Sequence, residues 1–274
     1  MKRNQKAKQE RIPWKYFRNK RAVLHVYIIL RLVVLATLVW QLLSANYENA
    51  FVCVLTLVLF VIPSIIERKL HIDLPDTLEI IILLFIFAGD ILGEINEFYV
   101  LVPHWDTVLH TINGFLFAAI GFSIVNILNE NKRISMTLSP FYMAVAAFCF
   151  SMTIGVLWEF FEWGADLLMG FDMQKDTVLG TISSVKLHPE GRNDPVTLSG
   201  IRDVIVVLED GRQVTMGLGG YLDIGLQDTM KDLLVNLVGA VVFSVIGYFY
   251  VRTKGKGRIA RMFIPEVLEE TEEI

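Results

Sequence analysis

DTVLHTINGFLFAAIGFSIVNIL, residues 106–128, is an apolar run long enough to cross a bilayer, yet it opens on Asp106 and His110, one helical turn apart. A spanning helix needs roughly 20 mostly apolar residues. Working outward from this run, six segments qualify: about 23–44, 49–66, 78–97, 106–128, 141–164 and 229–251. The composition agrees, with 54% hydrophobic residues over 274 and a mean hydropathy of +0.51, too apolar for an ordinary soluble domain. The expected fold is an all-α polytopic membrane protein, a six-helix transmembrane bundle.

The formal charge of −4 hides an asymmetry that orients the spans. Lys2, Arg3, Lys6, Lys8, Arg11, Lys15, Arg18, Lys20 and Arg21 precede the first span. Arg68 and Lys69 follow the second, and Lys132 and Arg133 the fourth. Arg252, Lys254, Lys256, Arg258 and Arg261 follow the sixth, whereas loops 45–48 and 98–105 hold no Lys or Arg. The positive-inside rule then places both termini on the cytoplasmic side of a membrane crossed six times. A basic terminus beside a span orients the helix and touches anionic lipid. No recognition motif accompanies it, so membrane lipids rather than nucleic acid are the expected partner. The first apolar run is too long for a signal-peptide h-region and reads as an uncleaved span. Cys53 and Cys149, on different spans, read as packing residues rather than a disulfide or metal pair.

The resulting division is a basic cytoplasmic segment 1–22, spans one to five over 23–166, an outer loop 167–227, span six at 228–252 and a cytoplasmic tail 253–274. The loop differs in kind from the rest. Val204–Leu208 alternates, Glu209-Asp210-Gly211-Arg212 supplies an Asp-Gly turn, and Gln213–Met216 follows, which together predict a β-hairpin. A third strand is expected near Ile182–Leu187, before a loop at Pro189–Pro195. The insert is therefore a small extracytoplasmic β element resting on the bundle mouth.

Orientation also fixes depth. Asp90 and Glu94 fall in the outer half of span three, and Asp106 starts span four with His110 about 6 Å deeper. Glu159 and Glu162 occupy the last turns of span five, Asp166 its end, and Asp228 and Asp232 the first turns of span six. Residues three or four apart share a helix face, so each group makes one polar stripe on an apolar helix. Gly93, Gly114, Gly155 and Gly239 stand beside these stripes and permit close helix approach. Trp105, Trp158 and Trp163 fit an aromatic belt at the same boundary.

Ionisable groups cost a few kcal/mol each near the bilayer centre and so face a bundle interior or a wet cavity. Three readings stay open. The acids mark solvated helix ends and pair with Lys231 or Arg31, or they hold a divalent metal, or they line a proton or ion path. Carboxylates with one imidazole suit a hard or borderline cation, with Asp106, His110, Glu159, Glu162, Asp228 and Asp232 as candidate ligands. No H-E-x-x-H zinc signature occurs. Against a transporter, the cytoplasmic halves of the spans read as nearly free of ionisable groups apart from Arg31.

The ordered blocks Trp105-Asp106-x-x-x-His110-x-x-x-Gly114, Trp158-Glu159-x-x-Glu162-Trp163 and Gln227-Asp228-x-x-x-Asp232, the last followed by Gly239-Ala240, resemble the YjdF-like bacterial inner-membrane family. The likeness covers spans three to six. Asp106-x-x-x-His110 more faintly resembles the Asp-Lys-x-x-His start of the VanZ-like proteins, with Thr107 in place of the Lys. The YjdF-like resemblance implies weight on Asp106, His110, Glu159, Glu162, Asp228 and Asp232, and implies no reaction. The leading functional expectation is metal-assisted chemistry on an envelope or lipid-linked substrate, with His110 and Glu159 as catalytic candidates. The alternatives are an ion- or proton-coupled transporter and a non-catalytic envelope-stress or assembly factor.

Overall fold

The computed structural model describes residues 20–70, 72–130 and 138–267. The basic residues from Lys2 to Arg18, the Lys132–Arg133 pair and the tail beyond Val267 lie outside the described residues. The chain divides into two compact units, Met1–Ser151 with Leu237–Ile274, and Met152–Asn236.

The first unit begins with α1 (Arg21–Leu43), which packs along α2 (Tyr47–Leu59). Asn46 caps α2 by accepting the Asn49 N–H at 3.1 Å. The helix resumes after Phe60–Val61 as α3 (Ile62–Leu70). Pro63 has no N–H to return to the Leu59 carbonyl, which accounts for the break. A two-residue strand β1 (Ile72–Asp73) leads to α4 (Asp76–Phe87), whose first turn carries Asp76 and Glu79 at the positive end of the helix dipole. Val23, Leu30, Val34, Cys53, Phe60, Leu83 and Ile91 form the core among these helices.

The third expected span is a shorter α-helix than the sequence predicts. After α4 the backbone widens into a π-helical stretch, Ala88–Ile95, followed by the single turn α5 (Phe98–Leu101). Gly89 and Gly93 lie here, and a Cβ on Gly93 would collide with the Tyr99 ring. Asp90, inside the stretch, accepts the Thr56 hydroxyl proton at 2.8 Å, so its carboxylate is drawn to α2. Among the described residues five helices are long and apolar enough to cross a membrane, and this segment is not one of them. Helices α6 (Trp105–Glu130), α7 (Pro140–Met169) and α8 (Leu226–Arg252) complete the set of long helices, with α6 the most enclosed of the five.

Close approach governs how α6 is held within the first unit. A Cβ on Gly239 of α8 would strike the Thr111 carbonyl oxygen and stand 2.7 Å from the Phe115 nitrogen. Gly247 lies likewise on the Phe122 ring, and Gly121 of α6 on Phe150 of α7. Ser151 donates to the Gly114 carbonyl at 2.7 Å. On the outside of α1, Leu32, Trp40 and Leu43 are exposed, as suits a lipid rather than an aqueous surrounding. Cys53 is buried in the core as expected, but Cys149 is exposed on the flank of α7. Arg31 stacks over the Tyr27 ring, 4.6 Å from its centroid.

The second unit holds the ends of α7 and α8 and three two-stranded antiparallel ladders. Strand β2 (Thr177–Leu179) pairs with β7 (Tyr221–Asp223), β3 (Thr181–Ser184) with β4 (Val196–Ser199), and β5 (Ile205–Val207) with β6 (Gln213–Thr215). The β5–β6 pair turns at Gly211, which has a positive φ of 82°, and Arg212 accepts the Leu208 N–H at 2.9 Å. In that turn the Arg212 backbone N–H and guanidinium hold the Asp210 carboxyl below its ordinary range. The strand expected over Ile182–Leu187 is shorter. Ser184 accepts the Lys186 N–H at 3.1 Å and turns the chain into a 3-10 turn at Val185–Leu187. The β2–β7 and β3–β4 pairings were not legible from strand patterning.

Candidate functional site

In the first unit, the opening turns of α6 carry the acid–imidazole pair. Asp106 Oδ1 stands 3.4 Å from His110 Nε2, the i,i+4 spacing having placed both on one face. His110 and Asn113 are buried, and Asp106 is partly exposed. His110 precedes Thr111, the residue on which Gly239 rests, so this part of α6 is backed by a helix at the closest possible distance. Thr111 donates to the Thr107 carbonyl at 2.7 Å and keeps its hydroxyl within its own helix. In the third segment Asp90 accepts from Thr56, and Glu94 is exposed.

In the second unit, α7 and α8 meet at another small residue. A Cβ on Gly155 would lie 2.7 Å from Asn236 Nδ2, and Asn236 also donates to the Met152 sulfur at 3.5 Å. One turn beyond Gly155 comes Glu159, and one turn before Asn236 comes Asp232; both are buried, at 4% and 1% exposure. Glu162 accepts the Trp158 indole N–H at 2.9 Å, which fixes one carboxylate oxygen. Lys231 stands 3.5 Å from Asp228 and 3.8 Å from Asp232, so one half-exposed cation serves two carboxylates.

Two acids of this unit also have structural work. Asp166 accepts the backbone N–H of Met173 at 2.6 Å and of Gln174 at 2.9 Å. Asp228 accepts the Lys175 N–H at 2.8 Å, and Gln174 bonds Thr229. These contacts tie the loop after α7 to the start of α8. Asp228 therefore keeps only part of its carboxylate for another partner. Asp106 and His110 in the first unit, and Glu159, Glu162 and Asp232 in the second, are donors of the kind that can hold a metal ion.

One ionisable cluster escaped the sequence reading. Lys20 Nζ lies 2.5 Å from Glu67, 3.0 Å from Glu79 and 3.0 Å from Asp73, and donates to the Leu74 carbonyl at 2.8 Å. Glu67 and Glu79 are buried, so this cluster adds to Arg31 among the ionisable groups on the helices of the first unit. Burial works against the Lys20 charge, but hydrogen bonds and charge from Glu67, Glu79 and Asp73 outweigh it, and its pKa is raised. The available signal was Glu67 and Glu79 flanking the turn at Pro75, with Lys20 at the mouth of α1.

A family model described as a predicted membrane protein (DUF2238) matches residues 26–253. A curated relative from Thermotoga maritima, described as an uncharacterized protein, is 27% identical over 124 residues. That match takes in 44% of this chain and 62% of the relative's length. No solved structure matches the chain.

Proposed function

The chain belongs to the DUF2238 family of predicted membrane proteins, and we propose that it is a six-span protein of a bacterial cytoplasmic membrane whose outward-facing acidic pocket holds a divalent cation. The YjdF-like blocks accord with that family match. In this reading 1–22 and 253–274 are cytoplasmic, the segment from Asp76 through the π-helical stretch acts as the third of the spans within 23–166, and 167–227 forms the outer β insert ahead of span six at 228–252. The ligands are drawn from Asp106, His110, Glu159, Glu162, Asp228 and Asp232.

The observation that carries the reading is the burial of Glu159, Glu162 and Asp232 in helices that are otherwise apolar. Carboxylates in such a setting need compensation, because desolvation and mutual repulsion both oppose their ionisation. A divalent cation there would supply Lewis acidity toward a phosphoryl or carbonyl oxygen of an envelope or lipid-linked substrate. In this scheme His110, oriented by Asp106, and the buried carboxylates are ligands, and Glu159 is the group placed to accept a proton from water. The exposed apolar flanks of α1 and α7 give lipid access along the membrane plane.

A second reading, an ion- or proton-coupled transporter, draws on Ser123 and Asn126, buried further along the same helix as His110 and Asn113. One experiment separates the two. Metal content and thermal stability of the purified protein are measured with Mg²⁺, Mn²⁺, Zn²⁺ or EDTA, for wild type, His110→Ala and Glu159→Gln. A cation at a hundred times its Kd stabilises by about 2.7 kcal/mol, and both variants should lose most of that response. If stability ignores every metal and EDTA yet rises as pH falls, protonation compensates the acids and the metal reading is wrong.

A further inference from the structure

The chain after α8 turns back on the first unit. Lys254 and Gly255 take positive φ values of 55° and 76°, and Arg261 Nε donates to the Gly255 carbonyl at 2.8 Å, closing the turn. The strap that follows has two unlike faces. Inward, Ala260, Phe263 and Ile264 are buried. The Phe263 ring packs edge-on against Phe115 of α6 and Phe243 of α8, at centroid distances of 4.9 and 6.2 Å. Beyond it, β8 (Glu266–Val267) pairs antiparallel with β1, setting Val267 opposite Ile72 and Glu266 opposite Asp73.

Outward, Arg252, Lys254, Lys256, Arg258 and Arg261 are all exposed, and no acid falls between them. Ile259 at 59% and Met262 at 42% exposure stand among these cations. The same end of the unit carries exposed Arg21 and Lys69, whereas the carboxylates of Glu67 and Glu79 are turned inward onto Lys20. Asp76 is exposed there and only partly offsets this charge. Cations interleaved with exposed aliphatic side chains match an anionic bilayer surface, where the charges meet headgroup phosphates and the apolar groups enter the acyl boundary.

We propose that the outer face of Arg252–Met262 docks on anionic phospholipid headgroups, and that this contact holds the C-terminal strap closed over Phe115 and Phe243. The inference is independent of the cation-pocket reading, since every residue it uses lies on the first unit. Each Lys or Arg near an anionic surface contributes about 1 kcal/mol, roughly a fivefold change in affinity. Three such charges amount to a change on the order of a hundredfold.

The test uses the full chain in nanodiscs of phosphatidylcholine alone or with phosphatidylglycerol added. Two readouts report the strap: trypsin cleavage at the Lys254–Arg261 sites in wild type, and maleimide labelling of Ile264→Cys in a Cys149→Ser background. Phosphatidylglycerol should slow both by about tenfold or more, with loss of the effect at high salt. The triple variant Lys254→Gln, Lys256→Gln, Arg258→Gln should react at the phosphatidylcholine rate in either disc. Soluble glycerophosphate should not reproduce the protection. Equal rates in the two lipids, or lipid-dependent protection that survives in the triple variant, would overturn the proposal. A chain ending at Val267 lacks Glu269, Glu270, Glu272 and Glu273 and should discriminate between the lipids as the full chain does. Discrimination seen only in that shortened chain would show that the acidic tail, not lipid, occupies the patch.

Discussion

Replacing Gly239 by alanine puts a single methyl group where α6 and α8 come closest. The new Cβ would meet the Thr111 carbonyl oxygen and the Phe115 nitrogen, both backbone atoms of α6. No rotamer change can relieve such a collision, so the helices must separate. Overpacking of well-filled sites costs typically 1–3 kcal/mol, and a rigid backbone partner argues for the upper part of that range, about 2–3 kcal/mol. Alanine's better helix propensity returns roughly 0.5–1 kcal/mol of this. A net loss of about 1–2.5 kcal/mol, at 2–4 °C per kcal/mol for a protein of this size, lowers Tm by roughly 2–10 °C. Gly164→Ala is the control: it is helical and has no neighbouring heavy atom within 4 Å of a new Cβ. It should leave Tm unchanged or slightly raised. Thermal unfolding in detergent reads both variants side by side. Because His110 adjoins Thr111, any cation-induced stabilisation should also weaken in Gly239→Ala and persist in Gly164→Ala. A Gly239→Ala protein as stable as wild type would refute the close crossing, and an equally damaged Gly164→Ala would show that the effect is not local.

Lys20→Met should be strongly destabilising at neutral pH, by about 3–5 kcal/mol, because it leaves buried carboxylates with no cation. The raised pKa of Lys20 means that its contribution is present throughout the neutral range and is lost only above the ordinary lysine pKa. In the variant the stranded acids gain stability by taking up protons, so its Tm deficit should narrow between pH 8 and pH 5; a deficit that grows on acidification contradicts the assignment. Asp166→Asn weakens two charge-assisted bonds to the Met173 and Gln174 amides, and faster proteolysis around residues 172–176 should report it at little cost in global Tm. For topology, a cysteine placed at Arg192 should react with an impermeant reagent in intact cells; reaction only after the inner membrane is permeabilised would remove the outward-facing site.

The long helices were legible because lipid imposes a length and an apolar composition that survive in sequence, and five of the six expected segments meet both. The third departs because Gly89, Asp90 and Gly93 fall within a few residues of one another. The pair of glycines admits the Tyr99 ring, Asp90 reaches Thr56 on α2, and the backbone widens to satisfy both. A hydropathy window averages over such a stretch and cannot register it. The β5–β6 hairpin was legible for the opposite reason, since its signal is confined to one turn. Strands β2 and β7 are more than forty residues apart, and Asp166 and Asp228 fasten residues 173–175, just ahead of β2, to two helix ends. No local pattern encodes that.

The candidate site divides along the same line. Spacing alone placed Asp106 and His110 on one face, and the structure sets them 3.4 Å apart. Spacing could not separate acids that serve as joints from acids buried within apolar helices. Asp166 and Asp228 resemble Glu159 and Asp232 in sequence, all four being carboxylates at a helix end. The amides of Met173, Gln174 and Lys175 claim the first two, while burial against apolar helices sets Glu159 and Asp232 apart. The same test explains Lys20, Glu67 and Glu79. Lys20 Nζ contacts Glu67, Glu79 and Asp73, and Glu67 also accepts the Leu74 N–H, so these acids are committed to a joint at one end of the first unit. A carboxylate buried in an apolar helix points to function, and by that criterion Glu159, Glu162 and Asp232, with half-exposed Lys231 beside Asp232, are the described acids to test first.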